Sequence, residues 1–432
     1  MKATHCKGRA MYAAVALWVV SMLVITGMVI HDPRQRTVTI GSYHKSAQAW
    51  WNGETLYNGP AGMNYLPHFA ILYSPFHFLP LRASEVLWRL CAAAALATGL
   101  WRLTRELFAG ESEWPFLAAT VLSLPLSLGA LRNGNANAIF GGVTLLAIVA
   151  LMQDRWWRAM GWMALAIALK PLGIVLLLLS AIYFSPVARR LPATVLALAG
   201  FPFLFGKAGY VWSQYQEAWK DLRMCAVVTE HRFADLNGLL RTFGAALPPG
   251  ASTVTRVVFG ALTAALWLWG ARRLTGRWRH LWLYALATGY LMLFNPMTEA
   301  NSYVILAPAL AAWAVCLILR SPQDRRQEAT PHPNPLPAPS SRGEGEDPAG
   351  GARRVVHPMD CSVYHPELNQ KGLGWALALM ALSMGLLPNP LRPYFGNNFA
   401  LFWHPLMTIA FIGALTWFVA RGGARLGAAE GL

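Results

Sequence analysis

Acidic side chains are scarce in this chain: 20 Asp and Glu stand among 432 residues, against 36 Lys and Arg. Charged residues of both signs make up 13%, well under the roughly 25% usual in soluble domains. With 55% hydrophobic residues, that shortage excludes an ordinary soluble domain and points to an integral membrane protein. In a soluble protein the net charge of +16 would suggest nucleic acid. Here the bases sit in short loops between apolar runs, as the positive-inside rule arranges them, and no aromatic-basic strand pattern accompanies them. Nucleic acid is therefore not an expected partner. Cysteine is also thin. Cys6, Cys91, Cys225, Cys316 and Cys361 are scattered without a CxxC pair, and only Cys225 is placed outside the membrane on an oxidising side, so no intramolecular disulfide is expected. No His/Cys spacing reads as a zinc site.

Long apolar runs are what the chain does have. Residues 11–30 are uncharged and follow Lys2, Lys7 and Arg9, long enough to cross about 30 Å of hydrocarbon. They read as a first span with the amino end in the cytoplasm; a cleaved signal peptide would have a shorter apolar core ending in small residues. Further runs fall at 64–80, 84–104, 114–131, 136–152, 159–184, 191–206, 253–271, 280–296, 302–319, 372–388 and 399–420. Twelve runs put both ends inside. Most basic loops agree, but the pairs Arg102/Arg105 and Arg155/Arg158 would lie outside. If 64–80 only dips in and returns, both pairs move inside, and a second dip is then needed, for which the Lys170-Pro171 break is the place to look. Glu85 is placed on the inner side.

After the first span, residues 43–76 carry Tyr43, Trp50, Trp51, Tyr57 and Tyr65, five amphipathic rings in 23 positions. Such rings suit a membrane–water interface. Ala47, Trp50, Trp51 and Glu54 recur at helical spacing, so an interfacial helix is expected in this first outer loop. The fold expectation is an all-α polytopic bundle of about 12 transmembrane helices: a core over 1–320, an insert over 321–370 and terminal helices over 371–432. The insert has Pro at every second position from Pro331 to Pro339 and no apolar pattern, so it reads as a disordered cytoplasmic linker.

Activating a hydroxyl requires a base, and carboxylates or His are the usual choices. Of the 20 acids, seven lie between Asp324 and Glu367 in the insert. Glu299, alone between two apolar runs, is costly there unless it has a task, although it could also sit in the first turn of a helix capped by Thr298 or Asn295. Lys170 interrupts an apolar run at a proline and must snorkel or meet an anion such as phosphate. Arg132, Asn133, Asn135 and Asn137 in LRNGNANAIFGG offer a guanidinium fork and amides for phosphate or hydroxyls, or form a plain polar turn. Asp235, Asn237 and Arg241 could make another polar lip or only a surface turn. His44 is either a base or a cap.

At these residues the order of motifs resembles glycosyltransferase family 87. The matching pieces are Y-H-x-x-A-x-A-W-W-x-G-E-x-L-Y from Tyr43, Y-L-P-x-x-A-x-L-x-x-P from Tyr65, R-N-G-N-x-N from Arg132, A-L-K-P ending at Pro171, N-G-L-x-x-R from Asn237 and N-P-x-T-E-x-N-x-Y from Asn295. The resemblance implies a GT-C bundle that moves a hexose, often mannose, from a polyprenyl-phosphate donor to a glycolipid or glycan acceptor. It places the transfer on the outer face of a bacterial inner membrane, among membrane lipids, with inversion, a carboxylate base and neither metal nor cofactor. Many members carry an Asp shortly before the first-loop tyrosine, and TVTIGSY has none, so the base falls to Asp32, Glu54 or Glu299, with Glu299 and Glu54 preferred. Tyr43, His44, Trp51, Tyr57, Tyr65, Arg132, Asn133, Asn135, Lys170, Asn237, Arg241 and Asn301 are the expected substrate-binding residues. A transporter or flippase of lipid-linked sugar is the alternative. Deleting residues 325–360 should leave sugar transfer intact, as measured on the purified protein; an inactive deletion variant would show that the insert is structural.

Overall fold

The computed structural model describes residues 2–31, 38–57, 62–108, 113–226, 233–319, 366–396 and 398–421, and every regular element among them is helical. In order these are α1 (Lys2–His31), α2 (His44–Asn52), α3 (Pro67–His77), α4 (Leu81–Leu107), α5 (Trp114–Asn133), α6 (Asn137–Met152) and α7 (Trp156–Leu169). They continue with α8 (Gly173–Ala181), α9 (Ser185–Gly200), α10 (Ala208–Ala226), α11 (Leu236–Thr242), α12 (Pro249–Arg273) and α13 (Gly276–Phe294). Then come α14 (Ala307–Leu319), α15 (Pro366–Leu386), α16 (Pro388–Phe395) and α17 (Asn398–Arg421). The chain is a multi-pass membrane protein. Six described helices are long and apolar enough to span a bilayer, and a seventh qualifies if α15 and α16, bent by 56°, count as one span. Most of the expected insert lies outside the described residues, while α15 begins at Pro366, within its expected bounds.

Contacts between helix ends sort the segments. Arg277 Nη1 donates to the Leu107 carbonyl at 3.0 Å, and Gln153 Nε2 to Glu106 Oε2 at 2.7 Å. The Phe184 ring stacks on His280 at 5.3 Å, and the Arg190 guanidinium lies over Trp157 at 5.1 Å. One end of the bundle therefore gathers the arginines near 105, 158, 190 and 277. At the other end Ser84, on the first turn of α4, meets His44 Nε2 at 3.0 Å, and Trp88 Nε1 donates to the Gly134 carbonyl at 2.7 Å.

This sorting follows the two-dip alternative rather than twelve crossings, and it corrects the placement of Glu85. Since α4 starts at the end away from the arginines, the run 64–80 leaves by the side it entered, and Glu85 sits at that far end rather than with the basic loops. The run 159–184 also turns back: Trp156, at the start of α7, and Phe184, just past α8, lie 5.9 Å apart between ring centroids. Two of the twelve runs thus double back, and the second turns at Lys170-Pro171. A proline that offers no N–H and a lysine in extended conformation end α7 there.

Close packing fixes the start of α6. A Cβ on Gly99 would lie 2.7 Å from the Gly142 carbonyl, and one on Gly142 would overlap the Ala95 backbone, so only glycine lets α4 and α6 approach this far. The first outer loop folds inward. A π-helical turn, Thr39–Tyr43, leads into α2, which stops at Gly53, left-handed at φ 73°. Ala47 and Trp50 are buried, and Tyr210 of α10 covers them, its ring 5.2 Å from Trp50 and its hydroxyl bonded to the Glu54 carbonyl at 2.8 Å. Of the face expected to rest on lipid, Ala47 and Trp50 turn into the protein, while Trp51 and Glu54 stay exposed. In a chain stripped of its native thiols, Arg105→Cys and Arg273→Cys should react with a membrane-impermeant maleimide from one face and Phe78→Cys from the other. Labelling of positions 105 and 273 from opposite faces would restore the twelve-crossing count.

Candidate active site

The far end of the bundle holds a turn that α4 clamps from one side. Between α5 and α6 the chain reverses at Gly134, left-handed at φ 72°. Arg89 donates to the Arg132 carbonyl from Nε at 3.3 Å and from Nη2 at 3.1 Å, and its Nη1 pairs with Glu85 Oε2 at 2.8 Å, both side chains buried. A Cβ on Gly134 would sit 2.8 Å from Arg89 Nη2, so the same contact explains the glycine. The turn delivers three groups inward. Ala136 N–H donates to Tyr43 Oη at 2.9 Å, Asn135 Oδ1 accepts the Asn137 N–H at 3.2 Å, and Asn137 opens α6 with its amide free for side-chain partners.

Lys170 reaches that amide from the tip of the α7–α8 hairpin, Nζ donating to Asn137 Oδ1 at 2.6 Å and lying 5.9 Å from the Tyr65 ring centroid. Asn137 Nδ2 donates in turn to Ser302 Oγ at 3.2 Å. Glu299 lies within electrostatic reach of both Lys170 and Tyr65. Its side chain is exposed and makes no hydrogen bond or ion pair among the described residues. The expected helix cap is absent: Thr298 Oγ1 bonds the Asn295 carbonyl at 2.9 Å, and Glu299 precedes a short 3₁₀ segment, Ala300–Ile305, without capping it. Met297 in this turn is left-handed at φ 60°, an uncommon conformation for a residue with a Cβ. Thr298 O accepts from Ala234 N at 2.7 Å, and Tyr303 Oη donates to Ala234 O at 2.7 Å, tying the turn to the segment before α11.

Of the expected residues, Tyr43, Tyr65, Asn135, Lys170 and Glu299 thus come together. Tyr57 supports them by donating to the Tyr65 carbonyl at 2.8 Å. Arg132 contributes its carbonyl to the clamp and is itself exposed; Asn133 ends α5. Asn301 faces α5 at Gly129, and its Oδ1 is buried without a partner among the described residues. Asn237 spends its amide on the Leu247 backbone, accepting at 2.7 Å and donating at 3.4 Å, so it closes a loop; Arg241 lies in the last turn of α11. Asp235 caps α11 through Gly238 N at 2.6 Å. Burial raises its carboxyl pKa against the pull of that N–H.

His44 and Trp51 instead tie α2 to its neighbours, Trp51 donating to Ser74 Oγ at 2.8 Å and His44 Nδ1 approaching His77 Nδ1 at 3.4 Å. Burial lowers the His44 pKa, with nearby Glu85 opposing and His77 assisting. Glu54 belongs to the α2–α10 seam, where burial first and Glu54 second push the Tyr210 hydroxyl up to about 12. Asp32 lies outside the described residues. Among the described residues no three His, Cys, Asp or Glu gather as around a metal ion. Sequence reasoning missed Ser302 and the Glu85–Arg89 pair, although the i,i+4 spacing of the pair on an apolar helix was a visible signal. Arg89→Met would leave the Glu85 carboxylate buried and unpaired, and should cost about 3–5 kcal/mol in thermal unfolding of the detergent-solubilised protein.

No curated protein matches the sequence. Among solved structures, the crystal structure of ArnT from Cupriavidus metallidurans bound to undecaprenyl phosphate aligns at 16% identity over 94% of this chain and 77% of that chain. Its TM-score of 0.36 is too low to carry the fold. The model of glycosyltransferase family 87 matches residues 64–296, more than half of the 432. That match takes in the Tyr65, Arg132, Lys170 and Asn237 motifs and ends inside the turn that carries Glu299, and on it the chain belongs to glycosyltransferase family 87.

Proposed function

We propose that this glycosyltransferase moves a hexose, with mannose the first candidate, from a polyprenyl-phosphate donor to an envelope lipid or glycan acceptor. One observation carries the reading: the Lys170 ammonium is held by Asn137 beside a carboxylate, Glu299, whose side chain has no hydrogen-bond or ion-pair partner among the described residues. An ammonium fixed in this way is a seat for a phosphate, and an unpartnered carboxylate beside it can take a proton. The acceptor hydroxyl gives its proton to Glu299 as its oxygen bonds to the anomeric carbon from the face opposite the phosphate. The bond from that carbon to the phosphate oxygen breaks, and polyprenyl phosphate leaves with the electron pair, its charge met by Lys170. One displacement inverts the anomeric centre, and no step calls for a metal or cofactor.

The arginine-rich end is taken as cytoplasmic by the positive-inside rule. Transfer then occurs at the opposite, periplasmic face of a bacterial inner membrane, consistent with the GT-C architecture of the family. Glu299 is preferred to Glu54 because Glu54 sits with Tyr210 on the α2–α10 seam rather than beside Lys170. Gathering of the unspent polar groups at one end favours transfer over transport, which would use charges near the midplane of two related halves.

Glu299→Gln should lower turnover by about 10²–10⁴-fold while the protein stays folded. Lys170→Met should raise the donor KM. Both are read by mass change of defined acceptors incubated with purified protein and a panel of polyprenyl-phosphate sugars; normal turnover by Glu299→Gln would remove it as the base.

A further inference from the structure

Resting on that reading, we infer that Tyr65 presents its hydroxyl hydrogen to the departing phosphate, and that Tyr43 is a positioning residue that fixes the direction of this hydrogen bond. Tyr43 is fully buried, its ring packed against Phe69 at 4.5 Å, Tyr73 at 5.4 Å and Trp88 at 6.0 Å between centroids. Its Oη accepts from Ala136 N–H at 2.9 Å. A backbone amide can only donate, so that bond has one possible direction. The Tyr43 hydroxyl hydrogen must then find an acceptor of its own, since a buried O–H left unmade is costly. Among the described residues one oxygen is in reach, Tyr65 Oη at 3.0 Å.

Polarity therefore runs from Ala136 N–H to Tyr43 and from Tyr43 to Tyr65. Tyr65 Oη accepts from Tyr43, and its own hydrogen has no recipient among the described residues. The surroundings say what that recipient should be. Lys170 Nζ lies 5.9 Å from the Tyr65 ring centroid, and Glu299 is the nearby carboxylate. A lone donor beside an ammonium suits an anionic oxygen. In the displacement it is the phosphate oxygen released from the anomeric carbon that gains negative charge, and a hydrogen bond aimed there strengthens as the bond breaks. Tyr65 transfers no proton in this step; the acceptor's proton still goes to Glu299. The Gly134 turn belongs to the same arrangement, because it holds Ala136 N–H against Tyr43.

Tyr65→Phe should lower kcat about a hundredfold and Tyr43→Phe about tenfold, with the acceptor KM unchanged in both. Both defects should shrink on a donor whose phosphate is the better leaving group, such as the corresponding pyrophosphate-linked sugar, because less charge then needs stabilising. A merely structural role would keep the defects equal on the two donors, and that result, or full activity of Tyr65→Phe, overturns the inference. Binding of sugar-free polyprenyl phosphate separates this inference from the function it rests on. Tyr65→Phe should bind it about tenfold more weakly than wild type, and equal affinity overturns the assignment even if the wild-type protein transfers no sugar.

Discussion

An ammonium inside an apolar bundle has to be solvated by the protein, and the bond from Lys170 to Asn137 Oδ1 at 2.6 Å is how this chain does it. Much of the far end follows from that requirement. Asn137 can receive the lysine only if α6 starts at the right depth, so α6 packs on α4 through Gly99 and Gly142, where no side chain fits. The turn before α6 must also keep its shape, so Trp88 and Arg89 hold the carbonyls of Gly134 and Arg132. Arg89 is itself buried and needs a counter-charge, which Glu85 supplies one helical turn away. Lys170, for its part, arrives there because a proline stops α7 and the chain returns toward the basic end.

The parts of this arrangement set by local chemistry could be read from the sequence. A lysine beside a proline within an apolar run announces a break, and the structure turns back at that position. The lone Glu299 between apolar runs stood out in the same way, because a carboxylate is costly where the pattern puts it, whereas Tyr43, Tyr65 and Asn135 were singled out by the motifs they share with the family. What depends on the path of the chain was not legible. Apolar runs of similar length can cross or double back, and composition does not separate the two. Only contacts such as Arg277 to Leu107 bring the arginines together and move Glu85 to the far end. The aromatic face of α2 fits lipid as well as protein by amphipathicity alone, and it takes Tyr210, from a segment about 160 positions later, to bury Trp50 while Trp51 stays exposed. Ser302 carries no signal as an isolated serine; its meaning comes from Asn137, 165 residues away.

Charge at this end is arranged in two ways, and the contrast bears on function. Glu85 and Arg89 form a closed pair at 2.8 Å, with the guanidinium also bonded to backbone oxygens, so neither is available to a ligand. Lys170 and Glu299 feel each other but do not meet: Asn137 draws the ammonium one way, and the left-handed residue Met297 shapes the turn that carries the carboxylate. Had they closed into a salt bridge, an incoming phosphate would have to break it and an incoming hydroxyl would find its base neutralised. What keeps the ammonium off the exposed carboxylate is its bond to Asn137, and the tightly packed α4–α6 contact and the clamped Gly134 turn fix where Asn137 sits. Stiffness in the scaffold and unsatisfied valence in the site are thus linked, the first being the condition for the second.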